Sequence, residues 1–135
     1  MSERLLAIDL GDKRTGIACG DVISGAAMPV TVLDIPRGDA LMTAIIDLVR
    51  EHAPDLILMG LPLNMDSTEG PRAELSRTFA AELSERTGVV VAFHDERLTS
   101  FEAEQRMRGT SRSQKKAKAD AMAACVLLES WFASQ

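Results

Sequence analysis

The sequence contains 135 residues, of which 46% are hydrophobic and 26% charged, and its formal net charge is −5. This length suits one domain spanning residues 1–135 and is too short for two of ordinary size. No apolar run approaches the roughly 20 residues that span a bilayer, and the apolar stretch near the N-terminus is too short for a signal-peptide core. We therefore expect a cytoplasmic protein with no membrane segment.

The first third of the chain reads as three strands and a helix. Residues 5–9 predict a buried strand, and the run from 17 to 33 predicts two more strands joined tightly at Ser24 and Gly25. Apolar residues recur at helical spacing over residues 39–52, where we predict an amphipathic helix that a proline ends.

The middle of the chain alternates between strand and helix. Residues 55–60, DLILMG, contain a continuous apolar run after Asp55, which is typical of a central parallel strand. A turn-rich stretch, LNMDSTEG, predicts a surface loop, and Pro71 then begins a helix with Leu75, Phe79 and Leu83 on one face.

The last third predicts a strand over residues 89–94 and a short helix over residues 99–108, which opens with a capping-box pattern. The longest helix follows over residues 115–132. This is an α/β order, and right-handed crossovers predict a five-stranded mixed sheet with the strand order 3-2-1-4-5, flanked by helices. Ligand sites in such sheets lie at the carboxyl ends of the strands.

Asp9 ends the first strand at that edge and is followed at once by a glycine turn. A carboxylate at the end of a buried strand costs several kcal/mol unless an ion or hydrogen bonds compensate it. A side chain that caps the turn between Gly11 and Gly16 is the alternative explanation.

A second acidic pair, Asp95 and Glu96, leaves the last strand at the same edge. Both acids could cap the following helix, but Thr99 already fills that role through its capping box with Glu102. Glu96 is therefore the stronger candidate for a ligand, although Asp95 remains open as the alternative.

Asp120 is the most informative acid of the longest helix. At about 100° per residue it lies near Ala117, Ala121, Ala124 and Leu128, which indicates the packed side of the helix. A first-turn carboxylate favoured by the helix dipole is the alternative, but that role does not require this orientation.

Asp9, Glu96 and Asp120 could meet at one edge of the sheet. Gathered carboxylates repel each other unless a cation is present, and hard Mg²⁺ or Mn²⁺ suits oxygen ligands. The two cysteines, Cys19 and Cys125, lack metal-site spacing and predict reduced thiols. Two cations can activate a water and stabilise the leaving oxygen in phosphodiester cleavage, so the pattern predicts a metal-dependent nuclease.

A basic segment, RMRGTSRSQKKAK, spans residues 106–118 and contains no acid. A solvated loop and helix start would explain it equally well. As a phosphate-contacting edge, it would bind a nucleic-acid backbone without sequence specificity.

Four stretches resemble, in order and over nearly the whole chain, the YqgF family, also called RuvX or Holliday-junction-resolvase-like proteins: DLGDKRTGIACGD, GLPLNMDSTEGPRAE, DERLTS and KADAMAACVLLE. The resemblance implies a ribonuclease H-like fold. It also implies a cytoplasmic nuclease that matures the 5′ end of the precursor of small-subunit ribosomal RNA.

Mapped onto the matching motifs, the family's acids are Asp9, Glu96 and Asp120. Related resolvases take an acid from the end of the fourth strand, where this chain has Gly60, Leu61 and Pro62, so Glu96 must substitute from the fifth. Further residues that would face phosphates or orient the acids are Arg14, Asn64 and Arg97. Thr68, Glu69 and Gly70 are expected to shape the loop above the site, and the residues expected to touch the nucleic-acid backbone are Arg112, Lys115 and Lys116.

Several functions remain open at this point. The nuclease could act on precursor ribosomal RNA or on four-way DNA junctions, as a monomer or an oligomer. An ATP-binding domain of the actin and sugar-kinase type also ends its first strand in an aspartate and a glycine turn, but needs two such domains. A non-catalytic RNA-binding factor would use only the basic edge.

Overall fold

The computed structural model describes residues 3–95 and 112–135, with side chains described for 3–95 and 122–135. The elements in chain order are β1 (Arg4–Asp9), β2 (Thr15–Asp21), β3 (Ala27–Leu33), α1 (Asp39–His52), β4 (Leu56–Leu61), α2 (Pro71–Thr87), β5 (Val91–Asp95) and α3 (Arg112–Ala133). The predicted short helix over residues 99–108 lies outside the described residues.

The five strands form one sheet in the predicted order, β3-β2-β1-β4-β5. β1, β2 and β3 pair antiparallel as a meander, whereas β1, β4 and β5 run parallel. The prediction of a central first strand is confirmed.

Glycine, proline and left-handed residues set the ends of the first two helices. α1 ends at His52, and the next residue, Ala53, has φ 46° and donates its N–H to the Val49 carbonyl at 2.8 Å, just before Pro54. α2 begins at Pro71, whose missing N–H costs nothing in the first turn, and the residue that follows its end at Thr87 is Gly88, which has φ 74°. Both helices begin where the sequence predicts.

Helices cover both faces of the sheet, because side chains alternate between its faces along each strand. α1 and α2 cover one face, and the core there includes Leu6, Ile8, Ile57, Met59 and Leu83. α3 covers the other face, and the core there includes Leu5, Ala7, Ala18, Leu58 and Leu128. We call the second one the α3 face.

One prediction for α2 is wrong. Phe79 and Leu83 are buried as expected, but Leu75 is 47% exposed. The buried stripe instead begins with the small residues Ala73 and Ser76. Leu75 lies on the solvent side of that stripe.

Smaller points complete the comparison with the sequence. α3 begins at Arg112, three residues earlier than predicted. Both cysteines are free thiols, Cys125 buried and Cys19 half-buried, as predicted. Among the helices of the described residues, none combines the length and the apolar character needed to cross a membrane.

Candidate active site

The carboxyl ends of the parallel strands β1, β4 and β5 meet at one edge of the sheet, which we call the site edge. β1 ends there at Asp9, β4 at Leu61 and β5 at Asp95. Leu61 and Asp95 are paired in the parallel register of β4 and β5. Because all three strands end together, side chains from separate parts of the sequence come close at this edge.

Asp9 lies between two glycines. It pairs with Gly16 of β2, and Gly60 of β4 comes one step after the pair of Ile8 and Met59. Both glycines are buried, whereas Asp9 is half-buried. Since Asp9 shares the face of Leu5 and Ala7, its carboxylate lies on the α3 face, and neither neighbouring strand places a side chain beside it.

β5 presents a histidine to this face and an aspartate to the other. His94 pairs with Gly60, and its Nε2 atom lies 2.8 Å from Oγ of Ser130 in α3, which places the ring on the α3 face. Alternation then puts Asp95 on the same face as Phe93, which packs on the α1 and α2 side. Asp95 therefore does not share the face of Asp9.

The turn between β1 and β2, residues 10–14, is fixed by a glycine and an ion pair. A Cβ atom at Gly11 would overlap the carbonyl oxygen of Arg14, so no other residue fits this backbone path. The guanidinium of Arg37 pairs with the carboxylate of Asp12, and the Arg37 N–H donates to the Asp12 carbonyl at 3.4 Å. Sequence reasoning missed Arg37, because nothing in its local pattern marks a partner 25 residues away.

The loop from Pro62 to Gly70 leaves β4 at the same edge, and we call it the site loop. Leu63 and Glu69 form a single antiparallel bridge. The Asn64 N–H donates to the Thr68 carbonyl at 2.8 Å, and the Asn64 side-chain amide donates to the Thr68 hydroxyl at 3.0 Å. These bonds close the loop on itself and hold the Asn64 amide in one place.

Two further residues confine that loop. A Cβ atom at Gly70 would lie 3.0 Å from Oδ1 and 3.1 Å from Nδ2 of Asn64, so glycine leaves room for the amide. Asp66 accepts hydrogen bonds from the hydroxyl and the N–H of Thr68 at 2.5 and 3.1 Å. The side-chain bond, followed by the backbone bond, lowers the pKa of Asp66 below its ordinary value.

Arg77 of α2 binds the end of the site loop. Its Nε and Nη2 atoms lie 2.5 and 2.8 Å from the two carboxylate oxygens of Glu69. The hydrogen bonds lower the pKa of Glu69 and raise the pKa of Arg77, so both groups are charged at neutral pH. Sequence reasoning missed Arg77 as well, since a polar residue on a helix surface carries no sign of its partner.

The C-terminal part of α3 packs on the sheet over β2. A Cβ atom at Gly20 would lie 3.2 Å from Leu128 and Phe132, so the C-terminal part of the helix covers the far end of β2. Residues 123–128 of the helix are buried, and Ser130 contacts His94 of β5.

The other predicted site residues lie wholly or partly outside the described part of the chain. Glu96 and Arg97 lie outside the described residues. The backbone of Arg112, Lys115, Lys116 and Asp120 belongs to α3, but their side chains are outside the described part. Within residues 3–95 and 122–135, no three acidic, histidine or cysteine side chains form a metal-binding group. The structure describes the side chains of three predicted site residues, Asp9, Arg14 and Asn64. Asp9 ends β1 at the site edge, Arg14 lies in the turn that follows it, and Asn64 lies in the site loop.

The donor chemistry fits a hard divalent cation. Asp9 offers carboxylate oxygens, which Mg²⁺ and Mn²⁺ prefer, and its partner on β2 is a glycine. His94, the histidine on this face, is already engaged with Ser130.

Comparison with known proteins gives consistent relatives. The family model described as "RuvX: Holliday junction resolvase" matches residues 3–134. A protein of Pectobacterium carotovorum subsp. carotovorum, named as a candidate pre-16S rRNA nuclease, is 42% identical over 136 residues, covering 99% of this chain and 98% of the relative. A protein of the same name from Salmonella paratyphi B is 43% identical over 134 residues, covering 98% and 97%.

Solved structures show the same fold at low sequence identity. RuvC of Thermus thermophilus in complex with a Holliday junction substrate superposes with a TM-score of 0.63 and 12% identity, covering 98% of this chain and 94% of that one. The Fowlpox virus Holliday junction resolvase superposes with a TM-score of 0.61 and 11% identity, covering 98% and 99%.

Proposed function

The chain belongs to the RuvX family, and from this membership we propose that it matures the 5′ end of precursor 16S ribosomal RNA by metal-dependent cleavage. It is a hydrolytic nuclease with a ribonuclease H-like fold. The curated relatives are named for pre-16S rRNA, which supports RNA as the substrate. Residues 1–135 act as one nuclease domain, and the cytoplasm is the expected place of action for a ribosomal RNA nuclease.

One observation carries the assignment of the site. Asp9 stands at the carboxyl end of the central strand with a buried glycine on each neighbouring strand. Larger side chains at these two positions would stabilise the edge by burying apolar area, so a purely structural aspartate does not require glycine on both sides. Two glycine neighbours suit a carboxylate beside which a cation and a phosphate must enter.

Asp9, Glu96 and Asp120 would hold one or two Mg²⁺ or Mn²⁺ ions. Bound divalent cations activate a water and stabilise the leaving oxygen of a phosphodiester. The glycine turn after Asp9 lets the backbone approach the phosphate, and Arg14, Asn64 and Arg97 orient the substrate or the acids. Each of these roles is a matter of position and charge rather than of covalent chemistry.

Glu96 is proposed as the middle acid over Asp95. Alternation along β5 puts Asp95 on the face of Phe93, away from Asp9. Glu96 is the next residue in the sequence, and a carboxylate from this strand must reach the α3 face to share a cation with Asp9.

Asp120 and the basic segment are assigned from the resemblance and from the pattern of the sequence. The backbone of Arg112, Lys115, Lys116 and Asp120 belongs to α3, which covers the same face of the sheet as the Asp9 carboxylate. Contacts from Arg112, Lys115 and Lys116 to backbone phosphates would supply affinity without sequence specificity, so the shape of a folded or duplex RNA selects the substrate.

The experiment is a cleavage assay with purified protein in Mg²⁺ or Mn²⁺. A precursor 16S RNA fragment and a four-way DNA junction are offered in parallel, with Asp9→Asn as the control. We expect cleavage of the RNA near the mature 5′ end and loss of at least about a hundredfold in rate for Asp9→Asn. Preferred cleavage of the junction would make the protein a DNA resolvase. Equal rates for wild type and Asp9→Asn would refute the site.

A matched pair of variants tests the choice of acid on β5. Glu96→Gln should abolish cleavage, whereas Asp95→Asn should retain at least about half of the wild-type rate, because Asp95 lies on the other face. The reverse result would make Asp95 the middle acid. Tight ATP binding by the wild type, or undiminished function of Asp9→Asn in cells, would favour the nucleotide-binding or the non-catalytic alternative instead.

A further inference from the structure

The site loop is exposed along most of its length. Residues 64–69 are all solvent-exposed, and Met65 is 96% exposed. Packing against the core therefore cannot hold these residues in one orientation relative to the sheet. Its internal hydrogen bonds fix its shape, but a loop with a fixed shape can still swing about its two ends.

A polar contact joins the loop to the helix behind it. Glu69 receives two hydrogen bonds from the guanidinium of Arg77, at 2.5 and 2.8 Å. This forked geometry fixes direction as well as distance, which a single contact does not. Glu69 is also the residue that closes the loop against Leu63. The ion pair thus acts at the base of the loop, next to the Asn64 amide.

The same guanidinium contacts β5. Its central carbon lies 4.9 Å from the centroid of the Phe93 ring, which packs against the core two residues before the end of the strand. A cation over an aromatic ring is attracted by the electrons of its face. Arg77 therefore ties together the site loop, α2 and the strand that leads to the acidic pair.

We infer that Arg77 is a positioning residue for the nuclease, holding Glu69 so that the site loop presents Asn64 at the site edge. The inference rests on the proposed function, because it assigns the loop to that same site. Arg77 acts through Glu69 and does not itself touch the substrate.

Stability alone does not account for this arrangement. The side chains of Arg77 and Glu69 are 47% and 44% exposed, and ion pairs of such exposure contribute little to the stability of a fold. Removal of the ion pair between Arg77 and Glu69 should therefore leave the fold nearly unchanged. It should slow the reaction, because a small misplacement of a contact can lower the rate by a large factor.

The test measures kcat and KM for cleavage by Arg77→Ala and Glu69→Gln. Both variants should lose about tenfold in kcat, with KM within about twofold and the melting temperature within about 2 °C of wild type. Arg86→Ala is the matched control. Arg86 lies on the same helix with similar exposure, pairs with Glu82 at 3.3 Å and does not touch the loop, so its kcat should not change.

The double variant separates positioning from direct phosphate binding. If Arg77 works through Glu69, the combined variant should be no slower than either single variant, because both remove the same contact. If Arg77 bound phosphate directly, Glu69→Gln would leave kcat unchanged or raised, and the inference would be wrong. Equal kcat for Arg77→Ala and Arg86→Ala would also overturn it.

Hydrogen exchange gives a readout that does not depend on cleavage. The N–H groups of Asn64 and Ser67 donate to carbonyls within the loop, and their exchange should be faster in Arg77→Ala but not in Arg86→Ala. If wild type cleaves neither substrate, the proposed function fails, yet this measurement still decides whether Arg77 holds the loop. Unchanged exchange in Arg77→Ala would refute that role.

Discussion

Two connections meet at the site edge and are built in opposite ways. The turn of residues 10–14 joins two buried strands. Its path requires glycine at position 11, because a Cβ atom there would overlap the carbonyl oxygen of Arg14. The site loop of residues 62–70 is exposed, and polar side chains hold it: Asn64 with Thr68, and Glu69 with Arg77. This difference predicts which property a substitution in each connection should change. Changes in the turn should cost stability, whereas changes in the loop should cost rate.

The largest expected effect is that of Gly11→Ala. The added Cβ would overlap the Arg14 carbonyl oxygen, which is backbone and cannot move without disturbing β2. We expect a loss of about 3 kcal/mol in the free energy of unfolding, measured by urea denaturation. A loss below about 1 kcal/mol would mean that the turn is as adaptable as the loop, and the comparison would break down.

Gly70→Ala is the matching change in the loop. Gly70 has φ −108°, so alanine causes no backbone strain, and the added Cβ meets only the Asn64 amide at 3.0 and 3.1 Å. The unfolding free energy should fall by about 1 kcal/mol or less, while kcat should fall about tenfold because the amide must shift. Unchanged kcat would mean that the position of the Asn64 amide does not matter for the reaction.

The smallest effect is a response of the loop to acid. Hydrogen bonds lower the pKa values of Glu69 and Asp66, so their stabilising contribution is complete above the ordinary carboxyl pKa of about 4 and is lost as the pH falls through the lowered values. Protection of the Asn64 and Ser67 N–H groups from exchange should therefore fall below about pH 4, corrected for the intrinsic rate, while that of Ile17 in β2 persists. Loop protection that is constant down to pH 2 would contradict this.

The fold could be predicted because its signals are local. Apolar runs, alternation and the spacing of glycine and proline identify the five strands and the helices, and crossover handedness then determines their order. Leu75 was placed wrongly for a physical reason. A spacing of four residues links it to Phe79, but the small residues Ala73 and Ser76 decide which side of α2 approaches the sheet.

The site could be predicted only in part. Asp9 is visible in the sequence because a carboxylate interrupts an apolar strand. Gly60 looks like a missing acid in the sequence, but the structure places it next to Asp9, one step beyond the pair of Ile8 and Met59. Arg37 and Arg77 could not have been found, because their partners Asp12 and Glu69 come close only when strands and helices have packed.

The central claim is that Asp9 holds a divalent cation on the α3 face. Calorimetric titration of Mn²⁺ into wild type, Asp9→Asn and Asp12→Asn tests it without any substrate. Asp12 is the matched control, since it lies three residues away but pairs with Arg37. The account predicts binding to wild type and Asp12→Asn, and at least about tenfold weaker binding to Asp9→Asn. Equal affinity of wild type and Asp9→Asn for Mn²⁺ would contradict it.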